Sequence, residues 1–216
     1  ADLLTRASEQ NGRPIYLLSD EAYSRILFDG RAYVSPTTFY PYSFLIYTYG
    51  KTLLTPGQRI GYIVLPPAMP DREVMRGAIT MAQLLTGWAF PNALLQHALP
   101  DLDALCIDVG RLQAKRDRLV AELRSMGYAL HVPEGTFYLL PRAPWADDLA
   151  FSELLAEHDV FVLPGTLAEI PGYFRLSLTA NEEMIERALP GLKAGLLRVA
   201  MGEIDRQPAV GSRPTA

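Results

Sequence analysis

Three short apolar runs, each stopped by residues that end a strand, fall within the first third of this 216-residue chain. They are Pro14 to Leu18, Phe44 to Thr48, and Arg59 to Leu65, the last closed by Pro66-Pro67. Strands that are apolar on both faces belong inside a sheet covered on both sides, so these runs predict buried strands of an α/β fold. From Pro70 to Leu85 the period changes: Val74, Ala78, Met81, Ala82 and Leu85 recur at helical spacing, and Thr86-Gly87 ends the segment. A second helical stretch covers Asn92 to Leu99, breaks at Pro100-Asp101, and resumes to Met126 with Leu105, Val109, Leu112, Leu119 and Leu123 on one side. Gly127 closes it as a left-handed cap.

Beyond Gly127 short strands and turns take over, at 128 to 132, 136 to 140, 160 to 163 and 173 to 179, with a helix near Phe151 to Glu157. Asn181 followed by Glu182 and Glu183 starts a last helix to about Ala200, with Pro190 as a kink or break. The chain is expected to divide into an α/β part, residues 1–100, an α+β part, residues 101–200, and a flexible tail, residues 201–216. The first residues read as the last turns of a helix closed by Asn11-Gly12, so the chain is expected to begin in the middle of something longer.

Composition removes several classes of function. Twenty Lys and Arg against 24 Asp and Glu leave a net charge of -4, without the basic surface that a nucleic acid partner requires. Cys106 is the only cysteine, which excludes an internal disulfide and a cysteine-based metal site and fits a reducing cytoplasm. His97, His131 and His158 are scattered without metal-ligand spacing, so no metal is expected. No apolar run approaches the roughly 20 residues of a membrane span, and the N-terminus lacks the apolar core of a signal peptide.

The chain has three lysines. Lys115 lies among Arg111, Arg116, Asp117 and Arg118 on what reads as a solvated helix face, and Lys193 lies on the last helix. Lys51 differs: it follows an apolar run, with Tyr47, Tyr49, Leu53 and Leu54 around it and Gly50 before it. Desolvation or a nearby cation lowers a lysine pKa toward neutrality, the condition for an amine that condenses with carbonyls; a lysine snorkelling at a strand end is the ordinary alternative. Asp20 stands where the first strand should deliver its residues to a ligand, with Tyr23 three positions on. Thr48 precedes Lys51 by three positions and Arg59 follows it by eight, a hydroxyl and a guanidinium suited to a phosphate. Singly, Asp20 also reads as a helix cap, Tyr23 as core edge, Thr48 as a plain strand residue and Arg59 as a surface ion pair. Their joint occurrence is what points to a site.

These residues carry a resemblance to the aminotransferase class I/II family, fold type I pyridoxal-phosphate enzymes. The matching segments are Asp20-Glu21-Ala22-Tyr23, then Lys51-Thr52-Leu53-Leu54-Thr55-Pro56-Gly57-Gln58-Arg59-Ile60-Gly61-Tyr62, then Pro133-Glu134-Gly135-Thr136-Phe137-Tyr138, then Phe174-Arg175-Leu176-Ser177, in the family's order. The resemblance implies the end of a large domain with a three-layer α/β/α sheet plus the small C-terminal α+β domain. It implies Lys51 as the Schiff-base lysine, Asp20 paired with the pyridine nitrogen, Tyr23 on the phenolic oxygen and Ala22 against the ring. Thr48 and Arg59 would contact the phosphate, and Arg175 the substrate α-carboxylate.

The implied activity moves an amino group between an L-amino acid and a 2-oxo acid. Lyase, decarboxylase or cyclase chemistry on the same cofactor, and a non-catalytic regulatory module of the same fold, are the alternatives. The resemblance also implies a homodimer, with Phe90-Pro91-Asn92-Ala93-Leu94-Leu95-Gln96 near the partner subunit; locally the same residues read as a helix start with Pro91 in first position. Three departures stand out: Gly50 where many relatives have Ser, a loop from Pro164 to Gly172 without the family's Phe-Gly step, and the lack of an N-terminal half that the resemblance implies is needed.

Overall fold

In the computed structural model, which describes residues 1–202, the apolar runs of the first third pair into a three-stranded sheet. Helix α1, Asp2–Asn11, ends on Gly12 in the left-handed region at φ 63°. Strand β1, Leu17–Asp20, runs parallel to β2, Ser43–Thr48, with Asp20 level with Ile46. Strand β3, Gly61–Val64, returns antiparallel to β2 and sets Thr48 opposite Gly61. Between β2 and β3 lie the short helix α2, Tyr49–Thr52, and a 3-10 turn at Pro56–Gln58. The fit between β2 and β3 leaves no space for a side chain at Gly61, where an added Cβ would stand 2.3 Å from the Tyr47 carbonyl oxygen. Gly61→Ala is therefore expected to cost about 1–3 kcal/mol of stability, read as a fall in the urea midpoint at unchanged slope.

Helices α3, Arg72–Leu85, and α4, Ala93–Leu102, follow. The core of this part is Tyr47, Tyr49 and Ile60, with Leu45, Leu53, Leu95 and Leu99 packed on them. The three rings lock it further: Tyr47 stacks on Tyr62 at 5.1 Å and meets Tyr49 edge-on at 5.2 Å.

Three expectations are corrected here. The third strand is not buried: Tyr62, Ile63 and Val64 of β3 are 40%, 41% and 41% exposed, although Tyr62 stacks on Tyr47. The apolar stripe of α3 is also uncovered, with Val74 and Leu85 exposed, and Trp88, Phe90 and Leu94 beyond it exposed as well. The helix starting near residue 92 does not stop before Pro100; α4 runs through it to Leu102, giving up the bond that residue 100 would have donated to the Gln96 carbonyl, and the break comes at 103 to 108. Its cap is Asn92, whose Oδ1 accepts from the Leu95 N–H at 3.2 Å, so Pro91 precedes the cap instead of opening the helix.

The described chain divides into two compact units, Ala1–Val109 and the residues from Gly110 onward. Helix α5, Val109–Met126, enters the second unit and ends at Gly127, φ 109°. It buries Leu112, Leu119, Val120 and Leu123, and also Arg116, which the charge pattern had placed on a solvated face. Arg116 is 3% exposed because its guanidinium reaches two acceptors, the Asp117 carboxylate at 2.7 Å and the Pro133 carbonyl at 3.0 Å. Lys115 is half-buried and donates to the Ala180 carbonyl at 2.6 Å.

Strand β4, Tyr138–Leu139, helix α6, Asp148–Ala156, and strands β5, Leu163–Pro164, and β6, Phe174–Ser177, complete an antiparallel sheet in the order β4-β6-β5. The run at 128 to 132 contributes only a single bridge, Leu130 to Pro141. Helix α7, Glu182–Ala200, carries Pro190 within it and is capped by Asn181, whose Oδ1 accepts from Met184 N–H at 2.8 Å. Phe151, Phe174, Leu139, Leu155 and Leu178 fill the core beneath. Among the described residues no helix is long and apolar enough to cross a membrane, and no His, Cys, Asp or Glu group could hold a metal. The tail read as flexible lies outside the described residues except for Met201 and Gly202.

Candidate functional site

Parallel pairing of β1 and β2 delivers Asp20 and Thr48 to the carboxyl ends of adjacent strands, the place where open α/β sheets bind ligands. The chain leaves β1 through a turn built by Asp20 itself: its Oδ1 accepts from the Ala22 N–H at 3.1 Å, and the Glu21 N–H still bonds the Ile46 carbonyl at 2.8 Å. Ala22 is buried, while Asp20 is exposed and Tyr23 half-buried. Glu21 is buried and satisfied by the Ser35 hydroxyl, which donates to it.

Thr48 ends β2 and starts α2. Its hydroxyl accepts from the Gly50 N–H at 3.2 Å and donates to the Ile60 carbonyl at 3.3 Å. The second bond is long, so the hydroxyl exchanges it readily for a stronger acceptor. One turn on, Lys51 is half-buried, and its Nζ lies 5.7 Å from the centre of the Tyr23 ring. Sequence-distant Lys51 and Tyr23 are thus brought together by the β1–β2 pairing. Arg59 is exposed, donates from Nη1 to the Pro56 carbonyl at 3.0 Å, and has φ 40°. A bulky residue held in the left-handed region is strained, and such strain concentrates at functional loops.

Arg175 belongs to the second unit. In β6 it is level with Leu163 of β5, and its guanidinium carbon lies over the Tyr138 ring of β4, 4.2 Å from the centre. That face contact holds the guanidinium in place by attraction to the ring. The loop before Arg175 is pinned by Asp148, 2% exposed, whose carboxylate accepts from the Thr166 N–H at 3.2 Å, the Thr166 hydroxyl at 3.0 Å and the Gly172 N–H at 2.5 Å. Gly165 starts the loop against backbone, an added Cβ meeting the Ile170 oxygen at 2.1 Å.

Sequence reading missed a polar group beside Lys51. Arg25 donates to Asp103 Oδ1 at 2.8 Å and to its carbonyl at 2.5 Å, the Tyr49 hydroxyl donates to the same Oδ1 at 2.8 Å, and Arg25 also faces the Tyr47 ring at 5.3 Å. Hydrogen bonds from Tyr49 and then Arg25 hold the Asp103 carboxyl below the usual carboxylate range. A depressed carboxyl stabilises above its unfolded value, so this pairing is complete above about pH 4 and is lost as the pH falls through the lowered value. Burial first, and then the bond to Asp103, push the Tyr49 phenol well above its ordinary value, so it stays a neutral donor. No local signal marks this set, because Arg25 and Asp103 are 78 positions apart.

Comparison with known proteins identifies the family of the chain. The family model for aminotransferase class I and II matches residues 2–192. A probable aspartate/prephenate aminotransferase of Aquifex aeolicus is 27% identical over 201 residues, covering 85% of this chain and 50% of that protein. The aspartate/prephenate aminotransferase of Thermus thermophilus is 30% identical over 183 residues, covering 81% of this chain and 46% of that protein. Among solved structures, an amino transferase from Eubacterium rectale superposes with a TM-score of 0.86 at 30% identity, over 91% of this chain and 50% of that one. An aspartate aminotransferase from Thermotoga maritima gives 0.74 at 25% identity, over 90% of this chain and 50% of that one. The chain spans about half the length of the curated relatives it matches. With the fold type I architecture and a match over most of its length, this chain belongs to the aminotransferase class I and II family.

Proposed function

We propose that this chain is the C-terminal part of a pyridoxal-phosphate-dependent aminotransferase that moves an amino group between an L-amino acid and a 2-oxo acid. The observation that carries the reading is the approach of the Lys51 amine to Tyr23, beside the strand ends bearing Asp20 and Thr48. The donor set suits the cofactor's parts: a carboxylate for a ring nitrogen, a phenol for a ring oxygen, a primary amine for an aldehyde, and a hydroxyl with a guanidinium for a phosphate. When bound, the cofactor supplies a protonated ring that delocalises the charge left at the substrate Cα after its proton departs.

The residues divide the work. Lys51 supplies the nucleophilic amine and, when free, the base that takes the Cα proton. Asp20 keeps the ring nitrogen protonated, Tyr23 donates to the ring oxygen, and Ala22, with its small side chain, leaves room for the ring. Thr48 turns its hydroxyl from the Ile60 carbonyl toward the phosphate, and Arg59 adds a positive charge. Arg175 binds the substrate α-carboxylate as a fork, its guanidinium held over the Tyr138 ring. The large-domain end, residues 1–100, thereby carries the cofactor set, and residues 101–200 carry the carboxylate clamp.

The reading places the protein in the cytoplasm as a homodimer that requires the rest of its relatives' length. The uncovered apolar faces of β3 and α3, and the exposed Trp88, Phe90 and Leu94, support that requirement.

The test is product analysis on the whole protein with pyridoxal phosphate, an amino acid and 2-oxoglutarate. Glutamate formation is the expected result; loss of ammonia or carbon dioxide without glutamate would support lyase chemistry instead. Arg175→Ala is expected to raise KM for the amino acid about a hundredfold, since a charged bidentate contact is lost, with cofactor uptake unchanged.

A further inference from the structure

Residues 103 to 107 lie across both segments that bear the cofactor set. Asp103 takes hydrogen bonds from Arg25, two positions beyond Tyr23, and from Tyr49, two positions before Lys51. Cys106 Sγ contacts the Arg25 carbonyl at 3.8 Å, and the Ile107 N–H donates to the Thr52 carbonyl at 2.9 Å. Each segment is therefore held by residue 103 and again further along, with Arg25 also reaching the residue 103 carbonyl at 2.5 Å. The stretch is itself seated by α4, whose Leu95 and Leu99 pack on the Tyr47, Tyr49 and Ile60 core.

We propose that residues 103 to 107 form a positioning strap for the site proposed above, with Asp103 as its fastening: it sets the spacing between the Asp20–Tyr23 turn and the Lys51 turn. The inference rests on that reading of the site, and extends it to a residue that touches neither cofactor nor substrate. The physical reason is that Asp20 and Lys51 address opposite ends of one rigid ring. The short helix α2 has four residues, too few to hold Lys51 in place by its own hydrogen bonds. Parallel pairing of β1 and β2 fixes the strand ends, but Tyr23 and Lys51 both lie beyond them. Asp103 closes that gap: one carboxylate oxygen receives a donor from each side, so neither turn moves without breaking a charge-assisted bond.

The test uses the whole protein with Asp103→Ala, which removes both carboxylate bonds and leaves Arg25 only the backbone carbonyl of residue 103, and Asp103→Asn, which keeps an acceptor for Tyr49 but drops the charge facing Arg25. Asp103 is 52% exposed, so both variants should fold. In Asp103→Ala, amide exchange at Ser24 and Ile26 on one side and Leu53 on the other is expected to quicken together. Pyridoxal phosphate affinity should fall about tenfold, with Asp103→Asn between this and wild type, while the melting temperature without cofactor changes little. Unchanged affinity, or a lowered melting temperature without an affinity change, would overturn the strap alone. A wild-type protein that takes up no pyridoxal phosphate would overturn the reading of the site, and the strap with it.

Discussion

Lys51→Ala is expected to abolish amino transfer, lowering kcat by about a thousandfold or more, because one side chain is asked for both the covalent attachment and the proton transfer. The sharper comparison is Lys51→Arg. A guanidinium keeps the positive charge over the Tyr23 ring, where Lys51 Nζ now sits at 5.7 Å, but it does not deprotonate in proteins and so is no nucleophile. If Lys51 served only as a cation in a snorkelling position, arginine would substitute for it. The account expects Lys51→Arg to be as inactive as Lys51→Ala, measured as single-turnover loss of the visible cofactor band on adding amino acid.

The second large effect falls on Asp20. Its replacement by Ala removes the charge that keeps a ring nitrogen protonated, and with it the means of stabilising negative charge at the substrate Cα. A loss of about 100- to 1000-fold in the proton-transfer rate is expected, the scale seen when a preorganised electrostatic partner is removed. Cofactor uptake should survive, since Lys51, Thr48 and Arg59 remain. Asp20→Ala also removes the acceptor of the Ala22 N–H, so Asp20→Asn is the control: it keeps that 3.1 Å bond and the turn but not the charge. Equal loss in both variants assigns the effect to charge; loss in Asp20→Ala alone assigns it to the turn.

Local chemistry made part of this legible. Gly12, Gly127 and Asn181 end or start helices where the sequence places them, because caps depend on residues within one turn. The strand runs were legible for the same reason, and Lys51 stood out among three lysines by its apolar company. What failed depended on partners far along the chain. Arg116 sits in a run of charges and looks solvated, yet its acceptor at Pro133 is 17 positions away and draws it inside. Nothing local marks Asp148, because its holds on Thr166 and Gly172 span 18 and 24 positions. The burial expected of β3 was inferred from apolar content alone, which says what a face prefers but not whether this stretch of chain supplies its cover.

The central claim is that one particular amine condenses with pyridoxal phosphate, and the chain's scarcity of lysine makes this directly measurable. The whole protein, loaded with pyridoxal phosphate, is reduced with borohydride, digested, and mapped by mass. The account predicts the reduced adduct on the peptide bearing Lys51 and none on Lys115, which is tied to the Ala180 carbonyl, or on the exposed Lys193. An adduct on either of those lysines with Lys51 unmodified, or no adduct on this chain, would contradict it.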